Sequence, residues 1–234
     1  MDKKSVYWLL QRNVDLPEDD NWLSAGERLL LQGLKFPKRI GEWRLGRWTA
    51  KQLIRSYLKI TDGRDDQFPE LEILPTEDGS PQVSIQKTPF PLTISISHRA
   101  GAGFCAISRG ADNLGCDLEI IEERSDAFVT DYFTFEERLK VIVAAEEDKP
   151  LLANLIWSAK ESVLKTLRQG LTSDTRNVLI DLNDLAVKKG WNEINARSPE
   201  LNKGFYGWWQ VKERYILTIF SSEITEVPVE LPTS

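Results

Sequence analysis

Trp157-Ser158-Ala159-Lys160-Glu161-Ser162-Val163-Leu164-Lys165, read with Leu114-Gly115-Cys116-Asp117-Leu118-Glu119 upstream, organises this chain. The first stretch lies in an apolar stripe at helical spacing, Leu152, Ile156, Ala159, Val163 and Leu167, which predicts a helix over about 151–167. Trp157, Glu161 and Lys165 follow at i, i+4 and i+8 along a second side of it. The second stretch alternates as a strand does. Leu114, Cys116, Leu118 and Ile120 share one face; Gly115, Asp117 and Glu119 share the other. The strand's two carboxylates would stand about 7 Å apart, with Gly115 leaving open space beside them. Three carboxylates and an ammonium, brought together, suit a hard divalent cation next to a phosphate.

Taken singly, each pattern has an ordinary reading. An Asp-x-Glu strand is most often half-buried with a solvated polar face. Glu161 and Lys165 alone would be an exposed helical ion pair worth about 0.3–0.5 kcal/mol. Trp157 on the same line argues against full exposure, because so large a ring usually finds cover. A desolvated Glu161 could then act as a base, and Lys165 could neutralise a phosphate.

Outward from these stretches, the chain has a repeated grammar. Val6 to Val14 reads as a strand, and Ser24 with Glu27 offers a capping box for a helix towards Leu34. Pro37 reads as an interruption, followed by a helix over about 41–58. Asp78-Gly79-Ser80-Pro81 is a turn signal. Thr93 to Ser97 and Phe104 to Ser108 read as a hairpin, with His98 at a strand end before Arg99-Ala100-Gly101-Ala102-Gly103. A strand-end His beside an Arg can contact an anion, although the turn matches no phosphate-loop spacing and an ordinary hairpin is the simpler local reading. Leu114 to Ile121 is a strand, Thr134 with Glu137 is a second capping box, and 178–182, 207–212 and 214–220 are strands. The tail Val227 to Ser234 is expected to be loose.

Each half thus reads as strand, two helices, then strands. The expected fold is α/β (α+β), a pseudo-twofold monomer of two similar halves, each with a small sheet packed against helices. Residues 1–112 form an N-terminal half with the basic helix and the Ser-His element. Residues 113–234 form a C-terminal half with the strand and helix quoted first, and the seam is the expected site.

Composition narrows the classes. At 41% hydrophobic and 28% charged, the 234 residues can build an ordinary globular core. The short run Val6 to Leu10 is too short to span a membrane and no cleavage site follows it, so a cytoplasmic protein without a membrane segment is expected. Cys105 and Cys116 read as small buried hydrophobes, and one His disfavours a zinc site. A net charge of −6 disfavours nucleic acid. Lys35, Lys38, Arg39, Arg44, Arg47, Lys51 and Arg55 against Glu42 nevertheless give a local balance of +7 − 1 = +6. That is either a docking surface for an anion or a solvated helix face.

The pieces together resemble one family. Gly115-Cys116-Asp117-Leu118-Glu119, then Trp157-Ser158-Ala159-Lys160-Glu161-Ser162 with Lys165, is similar to the paired signature of the Sfp-type 4′-phosphopantetheinyl transferases. Phe133-Thr134-Phe135-Glu136-Glu137 resembles the family's Phe-rich Pro-Glu-Glu segment, with Phe135 in place of Pro. Ser97-His98, Gln169-Gly170-Leu171 and Gly46-Arg47 with Lys51 resemble further elements, in the family's order over 24–171. The resemblance implies coenzyme A as co-substrate at the seam and Mg²⁺ (or Mn²⁺) on Asp117, Glu119 and Glu161. It implies transfer of the phosphopantetheine arm to a serine of an apo acyl or peptidyl carrier protein, releasing 3′,5′-ADP. Glu161 becomes base as well as ligand, and Lys165 stabilises the departing diphosphate. His98 would meet the 3′-phosphate with Arg47 or Arg39, and Ser97 and Lys160 would join the coenzyme A contacts. Gly79 and Pro81 match the family's Gly-Lys-Pro turn beside adenine, but Ser80 replaces the Lys, leaving backbone contacts there. Two other classes remain: another Mg²⁺-dependent phosphotransferase, and a catalytically silent coenzyme A or carrier-binding protein. No Gly-x-x-x-x-Gly-Lys-[Ser/Thr] loop is present for the first, and the retained acids argue against the second.

Overall fold

Ser24 and Thr134 start helices by the same chemistry. Ser24 Oγ accepts the Glu27 N–H at 3.2 Å while Glu27 Oε2 accepts the Ser24 N–H at 2.9 Å. Thr134 and Glu137 repeat the exchange at 3.3 and 2.8 Å. Each box satisfies helix-end donors that would otherwise be orphaned. These contacts come from a computed structural model that describes residues 4–111, 113–168, 173–182 and 188–233. The chain is mixed α+β and divides into two units, Asp2–Asp112 with Pro228–Ser234, and Asn113–Val227.

The N-terminal unit runs β1 (Tyr7–Arg12), α1 (Ala25–Gln32), α2 (Pro37–Thr61), β2 (Leu71–Pro75), β3 (Pro81–Ile85), β4 (Thr88–Pro89), β5 (Thr93–Arg99) and β6 (Ala102–Ser108). The chain breaks between α1 and α2 as expected, but the second helix begins at Pro37 rather than near Gly41. Pro37 occupies the first turn of α2, where its missing N–H costs nothing and its φ is already helical. The C-terminal unit runs β7 (Leu114–Ile120), α3 (Asp126–Tyr132), α4 (Phe135–Val143), α5 (Lys149–Thr166), β8 (Leu179–Asp181), β9 (Asn192–Ser198), β10 (Lys203–Lys212) and β11 (Tyr215–Ser221). Its sheet has the order β7-β11-β10-β9-β8, antiparallel throughout, with α5 against β7 and β11. The tail is not loose. β12 (Val229–Glu230) lies parallel to β1 at the edge of the sheet β12-β1-β6-β5, and Leu231 is buried beside it. The Leu231 N–H donates to Trp8 O, and Ser56 Oγ donates to Pro232 O, so the Pro-containing segment is held by its backbone.

Each unit also buries one Lys–Glu pair built on its capping box. In the N-terminal unit, Lys51 Nζ of α2 sits 2.5 Å from Glu27 Oε2 and donates to the carbonyls of Trp22 and Phe68. In the C-terminal unit, Lys160 Nζ of α5 sits 2.9 Å from Glu137 Oε2 and donates to the carbonyls of Thr175 and Val178. The second oxygen of each carboxylate accepts a backbone N–H, from Ile73 for Glu27 and from Ile180 for Glu137. Both lysines are fully buried, and that burial lowers their pKa against the opposing pull of their glutamates. The same six-part device in both units is residue-level support for a repeated architecture, which element order alone could only suggest.

Lys160 is therefore not a coenzyme A contact. Its ammonium fastens α5 to α4 and to the chain before β8. Lys160→Met should cost about 3–5 kcal/mol in urea unfolding, because Glu137 would be left charged and buried. A loss under 1 kcal/mol would contradict the pairing.

Candidate active site

In the C-terminal unit, β7 supplies Asp117 and Glu119, both buried, and α5 supplies Trp157, Glu161 and Lys165. Gly115 does not leave open space. A Cβ there would lie 1.9 Å from the Ser162 carbonyl oxygen and 2.7 Å from the Thr166 nitrogen, so the glycine lets α5 press onto the strand. That close approach brings the carboxylates to the helix. Lys165 Nζ donates to Asp117 Oδ1 at 2.8 Å and to the Cys116 carbonyl at 2.9 Å. Trp157 Nε1 donates to Glu119 Oε1 at 3.1 Å. The rear of α5 is tied down by Ser158 and Ser162, which share hydrogen bonds with Thr218 of β11.

Glu161 sits between these partners. Burial first, then the charges of Asp117 and Glu119, push its pKa up to about 7, and Lys165 only partly opposes them. Its Oε1 is buried and accepts no hydrogen bond. For Lys165, burial acts downward, but Asp117 and other neighbours outweigh it and the pKa rises, so the ammonium stays charged. The pocket thus holds a carboxylate that can exchange a proton near neutrality beside a fixed positive charge.

Arg124 is a member of this site that sequence reasoning missed. It donates to Glu119 Oε2 at 2.9 Å and to Asn154 Oδ1 at 2.6 Å, and lies 4.6 Å over the Phe128 ring. Asn154 in turn donates to the carbonyls of Glu122 and Pro150. Phe128 and Tyr132 of α3 meet Trp157 edge-on at about 5 Å, which covers the indole. The one signal in the sequence was a basic residue directly after Glu122-Glu123.

Among the described residues, no three His, Cys, Asp or Glu side chains form a ready metal cluster. Lys165 and Arg124 hold two of the three carboxylates instead. The donor set still fits a cation such as Mg²⁺: hard oxygens only, one of them orphaned, and a carboxylate whose charged form is resisted by its acidic neighbours. Mg²⁺ commonly takes one or two carboxylates, its remaining positions going to water and phosphate.

In the N-terminal unit, His98 lies within β5, its side chain 40% exposed and its Nδ1 3.9 Å from Glu42 Oε2 of α2. A Cβ on Gly46 would come 3.8 Å from the His98 ring, so α2 passes close beneath it. Arg39 is exposed and shares this face of α2 with Glu42 and Gly46. Arg47 does not. It is buried 3.9 Å from Glu27 and 4.9 Å from the Trp43 ring, and burial lowers its pKa despite Glu27. Ser97 is buried in β5. Gly79 takes φ +82° in a turn closed by Thr76, Asp78 and Ser80, with open space around it, and Pro81 begins β3. Gln169, Gly170 and Leu171 lie outside the described residues.

The basic segment is less of a surface than its composition suggested. Lys51 and Arg47 point inward; Arg44 binds Asp20 and the carbonyls of Pro17, Glu18 and Asp19; Arg55 binds Asp65. Lys35 and Arg39 stay exposed, and Lys38 lies 3.9 Å from Glu42. Both cysteines are buried and neither is in a disulfide, as expected.

Comparison with known proteins places these observations. No curated protein matches the chain. Solved structures that match include a holo-(acyl-carrier-protein) synthase from Bacillus anthracis str. Ames in complex with CoA (3′,5′-ADP), at 18% identity and TM-score 0.36 over 46% of this chain and 96% of that one. Thermotoga maritima holo-[acyl-carrier-protein] synthase matches at 19% and 0.37 over 56% and 74%. The Helicobacter pylori synthase in complex with coenzyme A matches at 16% and 0.29 over 44% and 96%. These superpositions are weak and carry no argument. Residues 113–219, which hold β7, α5 and every side chain of the carboxylate pocket, match the family described as the 4′-phosphopantetheinyl transferase superfamily. A little under half of the chain, the stretch that holds the candidate site, is thus similar to the 4′-phosphopantetheinyl transferase superfamily.

Proposed function

We propose that the chain transfers the 4′-phosphopantetheine arm of coenzyme A to a serine of an apo acyl or peptidyl carrier protein, in the Sfp-type manner and with Mg²⁺. The observation that carries this reading is Glu161, raised to about 7 and missing a hydrogen-bond partner beside Asp117, Glu119 and Lys165. A bound Mg²⁺ or Mn²⁺ would neutralise the diphosphate and orient it, and Asp117 and Glu161 would hold it, with Glu119 directly or through water. Glu161 takes the proton from the serine hydroxyl as its oxygen attacks the phosphorus bearing the pantetheine arm. Lys165 stabilises the charge that grows on the leaving 3′,5′-ADP. Arg124 and Trp157 keep Glu119 in place. Such a reaction asks for positioning and charge neutralisation more than for covalent catalysis, and these side chains supply both.

In the N-terminal unit we assign the 3′-phosphate to His98 with Arg39, the exposed arginine on its helix face, and not to Arg47. His98→Ala and Arg39→Ala should each weaken coenzyme A binding about tenfold in calorimetry while changing 3′-dephospho-coenzyme A little. Arg47→Ala should chiefly lower stability. Equal losses for both ligands in His98→Ala would remove the assignment.

A further inference from the structure

We infer that Lys165 is the resident counter-ion of the carboxylate pocket: it holds Asp117 while no divalent cation is bound and releases it when one is taken up. The inference rests on the Mg²⁺ reading above and adds to it a competition between two cations for one carboxylate. Lys165 Nζ is bonded to Asp117 Oδ1 and to the Cys116 carbonyl, on the strand that supplies the acidic side chains. Glu119 has its own clamp, Arg124, which is fastened to Asn154 and whose side chain is 14% exposed. The Lys165 side chain is 28% exposed and flexible, so it is the cation that can leave. Glu161, one turn earlier on α5, keeps an oxygen without a hydrogen bond beside it.

Two like charges a few ångströms apart in a partly buried pocket repel strongly. A divalent cation that takes Asp117 therefore competes with the ammonium held on Oδ1, and a displaced Nζ becomes available to an anion. Removing the ammonium should strengthen cation binding even as it weakens transfer. A lysine directed away from Asp117 in the coenzyme A-free protein would leave cation affinity unchanged, and the release itself is read from the Lys165 resonance.

The test is Mn²⁺ binding to the coenzyme A-free full chain, read by the electron spin resonance of free Mn²⁺. Lys165→Met is expected to bind about tenfold more tightly than wild type, and Glu161→Gln about tenfold more weakly. Equal or weaker binding by Lys165→Met, with Glu161→Gln still impaired, overturns the competition and leaves the metal reading standing. Absence of binding by wild type and both variants overturns the metal reading and this inference with it. Should Lys165→Met fail to fold, wild type carries the test through its lysine ¹⁵Nζ resonances. The Lys165 signal should move towards that of an exposed lysine as Mg²⁺ is added, and a signal unmoved at saturating Mg²⁺ refutes the release.

Discussion

Asp117→Ala is expected to lower transfer to an apo carrier protein by about 10³-fold or more at saturating coenzyme A and Mg²⁺. Asp117 anchors Lys165 at 2.8 Å, and in the proposed reading it also offers a hard oxygen to the cation, so one substitution removes both. Losing a single stabilising donor typically costs about 10²–10³ in rate, and here a proposed ligand goes with it. Excess Mg²⁺ should restore little, because the phosphates would also be free to move. Asp117→Asn separates the effects, since it keeps the shape and an acceptor for Lys165 but drops the charge. Cooperative unfolding close to that of wild type would show that the loss is chemical. Turnover within tenfold of wild type in Asp117→Ala would contradict the assignment.

Gly115→Ala is expected to cost about 3 kcal/mol or more in urea unfolding, or to prevent folding. Overpacking a well-packed site usually costs about 1–3 kcal/mol, and it costs most when the obstructing atom cannot rotate away. Here the obstruction is the backbone of α5, with the Ser162 oxygen 1.9 Å from the added carbon. The helix would have to back away from β7 and carry Glu161 and Lys165 with it. Any folded Gly115→Ala protein should therefore also lose transfer. Wild-type stability would mean that α5 does not pack on β7 as described.

The parts of this structure that were legible in the sequence are those whose signal is local. The boxes at Ser24 and Thr134 are read from residues three apart, and the structure forms both. The strand at 114–120 and the stripe on α5 are likewise found, although both faces of the strand are buried and α5 packs on the side that carries Gly115. What failed depended on distant partners. Lys160 and Lys51 look like surface charges until Glu137 and Glu27 are brought to them by other helices. Arg44 and Arg55 were counted towards a basic surface that their carboxylate partners partly neutralise. β9 was unreadable because its buried side includes Asn192 and Ser198 beside Ile194 and Ala196, so the alternation of polarity is weak. β12 is two residues long and exists only because β1 offers an edge. At the site, the three acids and Lys165 were visible as spacing, whereas Arg124 and Asn154 act through contacts that no local pattern encodes.

Single-turnover transfer tests the central claim most directly, with wild type, Glu161→Gln and Lys165→Ala compared at saturating coenzyme A and Mg²⁺. The readout is the mass of several apo acyl and peptidyl carrier proteins. Wild type should add one phosphopantetheine per carrier and release 3′,5′-ADP. Both variants should fold and bind coenzyme A within about tenfold of wild type, while the rate of the chemical step falls by about 10²–10³. A wild-type protein that leaves every carrier unmodified, or variants that both react within threefold of it, would contradict the account.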